Sequence, residues 1–595
     1  MSNEFKYTTL KDGEFRLIKL SRHGKDPHYQ LLNINLNEAP PYFALSYTWD
    51  GQKPDHHIQC DGKSLPVTFN ITKILPSLLE KNGPHLVWID GVCINQNDDD
   101  EKGSQIPLMQ QIYTKAVKVM IWLGDGDEWV EKAMTQIVDI TGKLKRFKAA
   151  RVITEEMLAD AGLPSLYSLV WGGIHSLLSR GWFTRVWVFQ EVILARIAEV
   201  IYGSQVIPLQ DVIDLRQAIS SAQCTQLLRG TKGNKDIDVL RGDPGMNTLH
   251  IISLYKTQQD SGRKFNLVSL VETARDWYVF DPRDRVYGML GLVDDRVRRY
   301  IKVDYTQQTP AQVYLDLAKY AVKIKLYPNL LHRVFKDGEV DSIELELPSW
   351  CLNFSKRRDI VLIGSEISPF SAGFRDPNIS FQPYLAPNTT SLQVMGFQVD
   401  EVKEIVPGTW RSWLESPRAG ELSSAEESFM WETRCFELSK KVYGNKEAAV
   451  EAHAHTLIAD QINGRKRCTS SQRKAYESWK SELSVRARRK RLRSGAGMDI
   501  RDAIFNTYLS AVNSAARNHR FFSTVGGRIG MGPFPVKAGD KICIICNTYT
   551  PFILDSPQEI RDHFKVVGEA YVHGLMYGEA FGVVEENLIR EISLD

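Results

Sequence analysis

The chain has 595 residues, 43% hydrophobic and 25% charged, a globular composition that excludes wholesale disorder and allows about four domains or fewer large ones. Its 74 basic residues nearly balance 72 acidic ones, for a net charge of +2, so no global attraction to nucleic acid or anionic lipid is expected. The opening stretch MSNEFKYTTLKDGEF lacks the apolar core of a secretory signal. The most apolar run, 166–178, contains His175 and falls short of the ~18 residues a membrane span needs. Of the eight cysteines only Cys543 and Cys546 stand as C-x-x-C. With no second pair or adjacent His, they read as part of a buried strand, no metal site is expected, and the setting is a reducing, intracellular one.

From Tyr42 onward, strand-like and helix-like stretches alternate. Phe43–Tyr47 is a short apolar strand ending in the turn Thr48-Trp49-Asp50-Gly51. Runs at 58–60 and 65–67 flank Asp61-Gly62, a pair suited to a tight hairpin. Ile71, Ile74, Leu75, Leu78 and Leu79 recur at helical spacing, and Leu86–Ile89 is the next apolar run. A helix over about 105–116, capped by Ser104, and a strand over 117–123 follow. This alternation predicts a parallel sheet covered by helices, with the runs at 43–47, 86–89 and 117–123 as parallel neighbours. Residues 128–178 read as helical with breaks near Thr141-Gly142 and at Pro164, 182–194 as a further helix, and the segments around Gly203-Ser204 as a closing hairpin.

The expected organisation is a first domain over 1–210, with its core at about 40–200. A mainly helical region over 211–345 and a short strand-rich segment over 346–410 come next. They are followed by a helical region over 411–519 and a small β-barrel-like module over 520–595. No repeat recurs at a fixed period. The basic run 465–493 holds twelve Lys and Arg residues against Glu477 and Glu482. The run reads as a solvated, mobile insertion, and its core, 486–493, has the composition of a nuclear import signal or a polyanion patch. With only Tyr476 and Trp479 interleaved, a stacking surface for nucleic acid is not expected.

Three segments carry a specific pattern: FALSYTWDG (43–51), VWIDGVCINQNDDDEKGSQIPLMQQIYTKAVKVMIWLGD (87–125) and SRGWFTRVWVFQEVILA (179–195). In content, order and spacing they resemble the signature blocks of the fungal heterokaryon incompatibility (HET) domain. FDPRDRVYGMLGL (280–292), LPSW (347–350) and FKVVGEAYVHGLMYGE (564–579) resemble segments that often follow it. Two departures stand out: Gly91 where the family often has Ala, and Thr48–Gly51 in place of a more compact Trp-Gly. The resemblance implies a role in non-self recognition that triggers cell death when unlike hyphae fuse. It also implies an allelic or non-allelic protein partner, homo-oligomerisation on activation, and a cytoplasmic location, with a nuclear pool if 486–493 directs import. HET domains are in turn similar to TIR domains, which have a flavodoxin-like α/β fold and in many cases cleave NAD with a helical Glu. That likeness would give the roles to Ser179, Trp187 and Glu191.

Read by chemistry, Glu191 is the candidate catalytic carboxylate, because cleavage of a nicotinamide–ribose bond develops oxocarbenium charge that a nearby carboxylate stabilises. Arg185 or Arg196 is its alternative, structural partner. Ser46, Tyr47 and Trp49 at the end of the first strand, Asp90 at the end of the next, and Trp187 on the helix of Glu191 are candidate nucleotide-binding residues, since ligands of open α/β sheets sit outside the strand ends. Asp90 has a structural alternative, bonding its own turn. Asp98, Asp99, Asp100 and Glu101 read as the acidic start of a helix rather than a cation site. No tightly bound cofactor is expected; NAD enters as substrate. Two readings stand: an NAD-cleaving effector, and a non-enzymatic signalling adaptor. P-loop, G-x-G-x-x-G and H-E-x-x-H motifs are absent from the sequence.

Overall fold

The computed structural model describes residues 4–24, 26–80, 85–147, 153–229, 244–335, 345–356, 363–365, 368–374, 381–410, 424–462, 466–468, 471–488, 503–556, 562–582 and 588–595. The chain divides into two compact units, Met1–Thr309 and Pro310–Asp595.

The first unit is built on nine strands: β1 (Glu14–His23), β2 (Asp26–Asn35), β3 (Phe43–Ser46), β4 (His56–Cys60), β5 (Lys63–Val67), β6 (Leu86–Trp88), β7 (Val119–Trp122), β8 (Ala198–Tyr202) and β9 (Gln205–Pro208). They form one sheet in the order β5-β4-β2-β1-β6-β3-β7-β8-β9. At its centre β3 runs parallel to β6 and β7, and β7 runs parallel to β8. All four residues of β7 are buried, as expected of a strand covered on both faces. The helix Phe69–Glu80 follows the β4–β5 hairpin and precedes β6, and Asp99–Lys115 lies between β6 and β7. Asp61 and Gly62 both take positive φ, 52° and 72°, the backbone that a two-residue hairpin turn requires.

The sheet is mixed, not wholly parallel, and this corrects the expected parallel sheet. β1 pairs antiparallel with both β2 and β6, so an N-terminal hairpin joins the edge of the parallel core. Its alternation is masked in sequence because Arg16 is buried between Phe15 and Leu17. Two helix starts also move. The helix expected from Gln105 begins at Asp99, with the Asp98 carboxylate accepting from the Glu101 N–H, so the acidic cluster caps and opens a helix. The break expected at Thr141-Gly142 falls at Thr135–Gln136, and the helix Ile137–Leu144 runs through it. Helices from Leu209–Ser221 to Asp295–Tyr300 belong to the same unit as the sheet. Among the described residues no helix is long and apolar enough to cross a membrane.

The second unit opens with helices, among them Pro310–Lys323, and then carries β10 (Tyr384–Leu385), β11 (Leu392–Ile405), β12 (Gln461–Ile462), β13 (Lys466–Arg467), β14 (His519–Thr524), β15 (Ile529–Pro533), β16 (Lys541–Ile545), β17 (Phe552–Asp555), β18 (His563–Glu569), β19 (Tyr571–Val572) and β20 (Arg590–Leu594). Five strands close on themselves: β16 pairs β17, β17 pairs β18, β18 pairs β20, β20 pairs β11, and β11 pairs β16. The long strand β11 makes this possible by shifting register twice and handing its last residues to β14. The strand-rich segment expected over 346–410 therefore supplies a stave of the C-terminal barrel. Cys543 lies inside β16, and all eight cysteines are buried and unbridged.

A second core lies among helices, where Trp410, Trp431, Tyr476, Trp479, Leu483 and Tyr508 pack together. The middle of the basic run is thus a packed helix, Arg473–Arg488, with Trp479 and Leu483 fully buried, and not a mobile insertion. Residues 489–493, most of the candidate import signal, lie outside the described residues.

Candidate functional site

The end of β3 places Ser46 and Tyr47 against the helix Trp187–Ile193. Ser46 Oγ donates a hydrogen bond to the Glu191 carboxylate and accepts one from Trp182 Nε1 at 2.7 Å. Trp182 stands in the short 3-10 turn Gly181–Thr184 that precedes the helix. One residue on, Arg185 donates to the Tyr47 carbonyl and lies close enough to favour the charged forms of both Asp90 and Glu191. Tyr113, on the helix Asp99–Lys115, bonds the Leu45 carbonyl at 3.2 Å and also faces Glu191.

Glu191 is 2% exposed. Burial pushes its carboxyl up to about 7, with Asp90 adding to the rise and Arg185, Ser46 and Tyr113 opposing it. Burial likewise raises Asp90, against Arg185 and the Gly91 N–H, which donates to Asp90 Oδ1 at 2.6 Å. Asp90 remains half-buried where Glu191 is sealed. Two donors, the Tyr47 hydroxyl and Trp49 Nε1, are buried and face the Asp90 carboxylate, favouring its charged form. Gly91 makes room for them, since a Cβ there would stand 2.5 Å from the Tyr47 hydroxyl and 3.1 Å from the Trp49 ring.

Of the residues singled out in the sequence, Ser46, Tyr47, Asp90 and Glu191 converge, with Trp49 beside Asp90. Trp187 does not join them. Its Nε1 donates to Asp284 at 3.1 Å, and the Tyr305 hydroxyl holds the other carboxylate oxygen. Ser179 ends the helix Leu169–Leu178; the serine that meets Glu191 is Ser46. Glu191 itself is sealed from solvent. The turn at Asp50-Gly51 is tied down by Asn70, whose side-chain amide donates to the Thr48 carbonyl at 2.8 Å. Trp182 and Tyr113 went unnoticed in the sequence, because neither stands at a telling distance from Glu191 along the chain. Chemically, the cluster is a pair of carboxylates in unequal settings near one guanidinium: a sealed one that exchanges its proton near neutrality, and a second whose charged form the Tyr47 and Trp49 donors favour.

Residues 42–191 match the family model of the heterokaryon incompatibility protein (HET), and residues 438–587 match that of the Het-6 beta-barrel domain. This is a HET-domain protein. The HET match begins at Tyr42 and ends on Glu191, so its two ends are what the Ser46–Glu191 hydrogen bond joins. The HET-domain protein is also 26% identical to "Heterokaryon incompatibility protein 6, OR allele" of Neurospora crassa, over 92% of its own length and 91% of that relative's. No solved structure matches it. The β1–β2 hairpin and β11 lie outside both matched segments.

Proposed function

We propose that this HET-domain protein acts in fungal non-self recognition, triggering cell death in heterokaryon incompatibility, and that its HET domain does so by cleaving NAD. The likeness to a heterokaryon incompatibility protein over nearly the whole chain supports the biological role. The observation that carries the chemistry is the Glu191 carboxyl, pushed up to about 7 and hydrogen-bonded to Ser46 at the end of a parallel strand. In the reaction, the bond between nicotinamide nitrogen and ribose C1′ breaks and nicotinamide leaves with the electron pair. Ionised Glu191 stabilises the oxocarbenium ion, and water adds at C1′, giving ADP-ribose and a proton. Substrate would approach from the half-buried Asp90, where the Tyr47 hydroxyl and Trp49 Nε1 face its carboxylate, and a movement that uncovers Glu191 would be the activating step.

A second reading, a non-enzymatic adaptor that recruits partners, is favoured by the near-complete burial of Glu191. The test is NAD consumption by purified protein, alone and forced to oligomerise, together with cell killing. Under the first reading Glu191→Gln abolishes both while the protein stays folded. A folded Glu191→Gln protein that still kills leaves the adaptor.

A further inference from the structure

In the second unit, three donors of different chemistry converge. Ligand atoms of His455, Asp460 and Cys468 all lie within 4.8 Å of one another. His455 ends the helix Lys446–Leu457, Asp460 stands just before β12, and Cys468 follows β13. Their backbones are linked in series: the Asp460 N–H donates to the His455 carbonyl at 2.8 Å, and the Cys468 N–H donates to the Asp460 carbonyl at 3.1 Å. Ala459 and Asp460 both hold positive φ, 46° and 52°, a costly conformation for side-chain-bearing residues. That turn brings the Asp460 carboxylate back onto His455.

We propose that His455, Asp460 and Cys468 form a binding site for a zinc-class divalent cation. Imidazole nitrogen, carboxylate oxygen and thiolate sulfur together suit this borderline metal. The supporting groups have the arrangement such a site needs. His455 Nδ1 faces Asp460 at 2.6 Å, and its other nitrogen lies 3.1 Å from Glu451 Oε1. The second Glu451 oxygen accepts from Ser471 Oγ at 2.6 Å. A carboxylate behind a ligating histidine fixes its ring and tautomer. The Tyr577 hydroxyl donates to one oxygen of Asp460 and the other faces His455 Nδ1, so a cation there replaces the proton between them. Arg467, stacked 3.7 Å over the Tyr577 ring, lies 3.9 Å from Asp460 and is a cation the site has to tolerate. Without metal, the proton between His455 and Asp460 and the Cys468 thiol proton occupy the space. Binding releases both, and the thiolate and carboxylate balance the dication. Three protein ligands leave a fourth, tetrahedral position for water.

The full-length protein, stripped with chelator and titrated with zinc, should bind one equivalent and melt at a higher temperature when loaded. Cobalt(II) in its place should show a thiolate-to-metal charge-transfer band. Cys468→Ser should remove that band, and Cys543→Ser should keep it. Glu451→Gln, which leaves all three ligands in place, should weaken zinc binding by about 10–100-fold, and it serves if the ligand variants do not fold. Failure of the wild-type protein to take up zinc, or zinc binding unchanged in both Cys468→Ser and Glu451→Gln, would overturn the proposal and leave a hydrogen-bonded cluster.

Discussion

Glu191 is the residue on which the most turns. Its hydrogen bond comes from Ser46 and the nearby Arg185 spends a bond on the Tyr47 carbonyl, so a glutamine could keep the Ser46 bond. An elevation from 4.5 to about 7 means that the native state holds this proton more tightly than the unfolded chain, by about 3 kcal/mol. That contribution is complete below the unfolded value and is lost as pH rises from 4.5 to about 7. The stability difference between wild type and Glu191→Gln, measured by urea unfolding across that range, should therefore move against the wild type as pH rises. A difference that stays flat would mean that the carboxyl titrates normally. The sequence placed Glu191 on a helix and Ser46 at a strand end, but they are 145 residues apart. No spacing rule brings two such groups together.

At the scale of elements, the N-terminal hairpin is held to the sheet by a buried ion pair. Arg16 on β1 bonds both Glu101 oxygens, at 2.6 and 2.9 Å, and the Cys93 carbonyl at 3.0 Å, with the two side chains 1% and 10% exposed. Glu101→Gln leaves the guanidinium buried without its counter-charge and should destabilise the protein by about 3–5 kcal/mol. A loss below about 1 kcal/mol, the worth of an exposed pair, would show that solvent reaches Arg16. The parallel strands β3, β6 and β7 were legible because runs of apolar residues separated by helical stretches admit few other arrangements. The hairpin before them was not, because burying Arg16 breaks the alternation that marks a half-buried strand.

For the whole molecule, the decisive strand in the second unit is β11. It closes the ring between β16 and β20, yet it lies before the segment 438–587 that matches the Het-6 beta-barrel domain. A fragment starting at residue 438 would expose the edges of β16 and β20, and unpaired edges invite pairing with other chains. Such a fragment should aggregate in size-exclusion chromatography, while one starting before β11 should not. A soluble, monomeric fragment from 438 would show that β16 and β20 find another partner.

Apolar runs and turn chemistry by themselves determined the strands of the parallel core and the turn between β4 and β5, and three motif blocks carried the resemblance to the HET domain. Those properties are written in neighbouring residues: Asp61-Gly62 turns because both residues tolerate positive φ, and β7 is buried because all four residues are apolar. Tertiary structure alone decided that β1 and β2 extend the first sheet, that β11 serves the distant barrel, and that Trp187 turns to Asp284 while Trp182 supports Ser46. It also decided the charge state of Glu191, since the rise to about 7 comes from burial and from Asp90. Desolvation and through-space charge depend on what surrounds a group in the folded protein, and residues remote in the chain supply those surroundings.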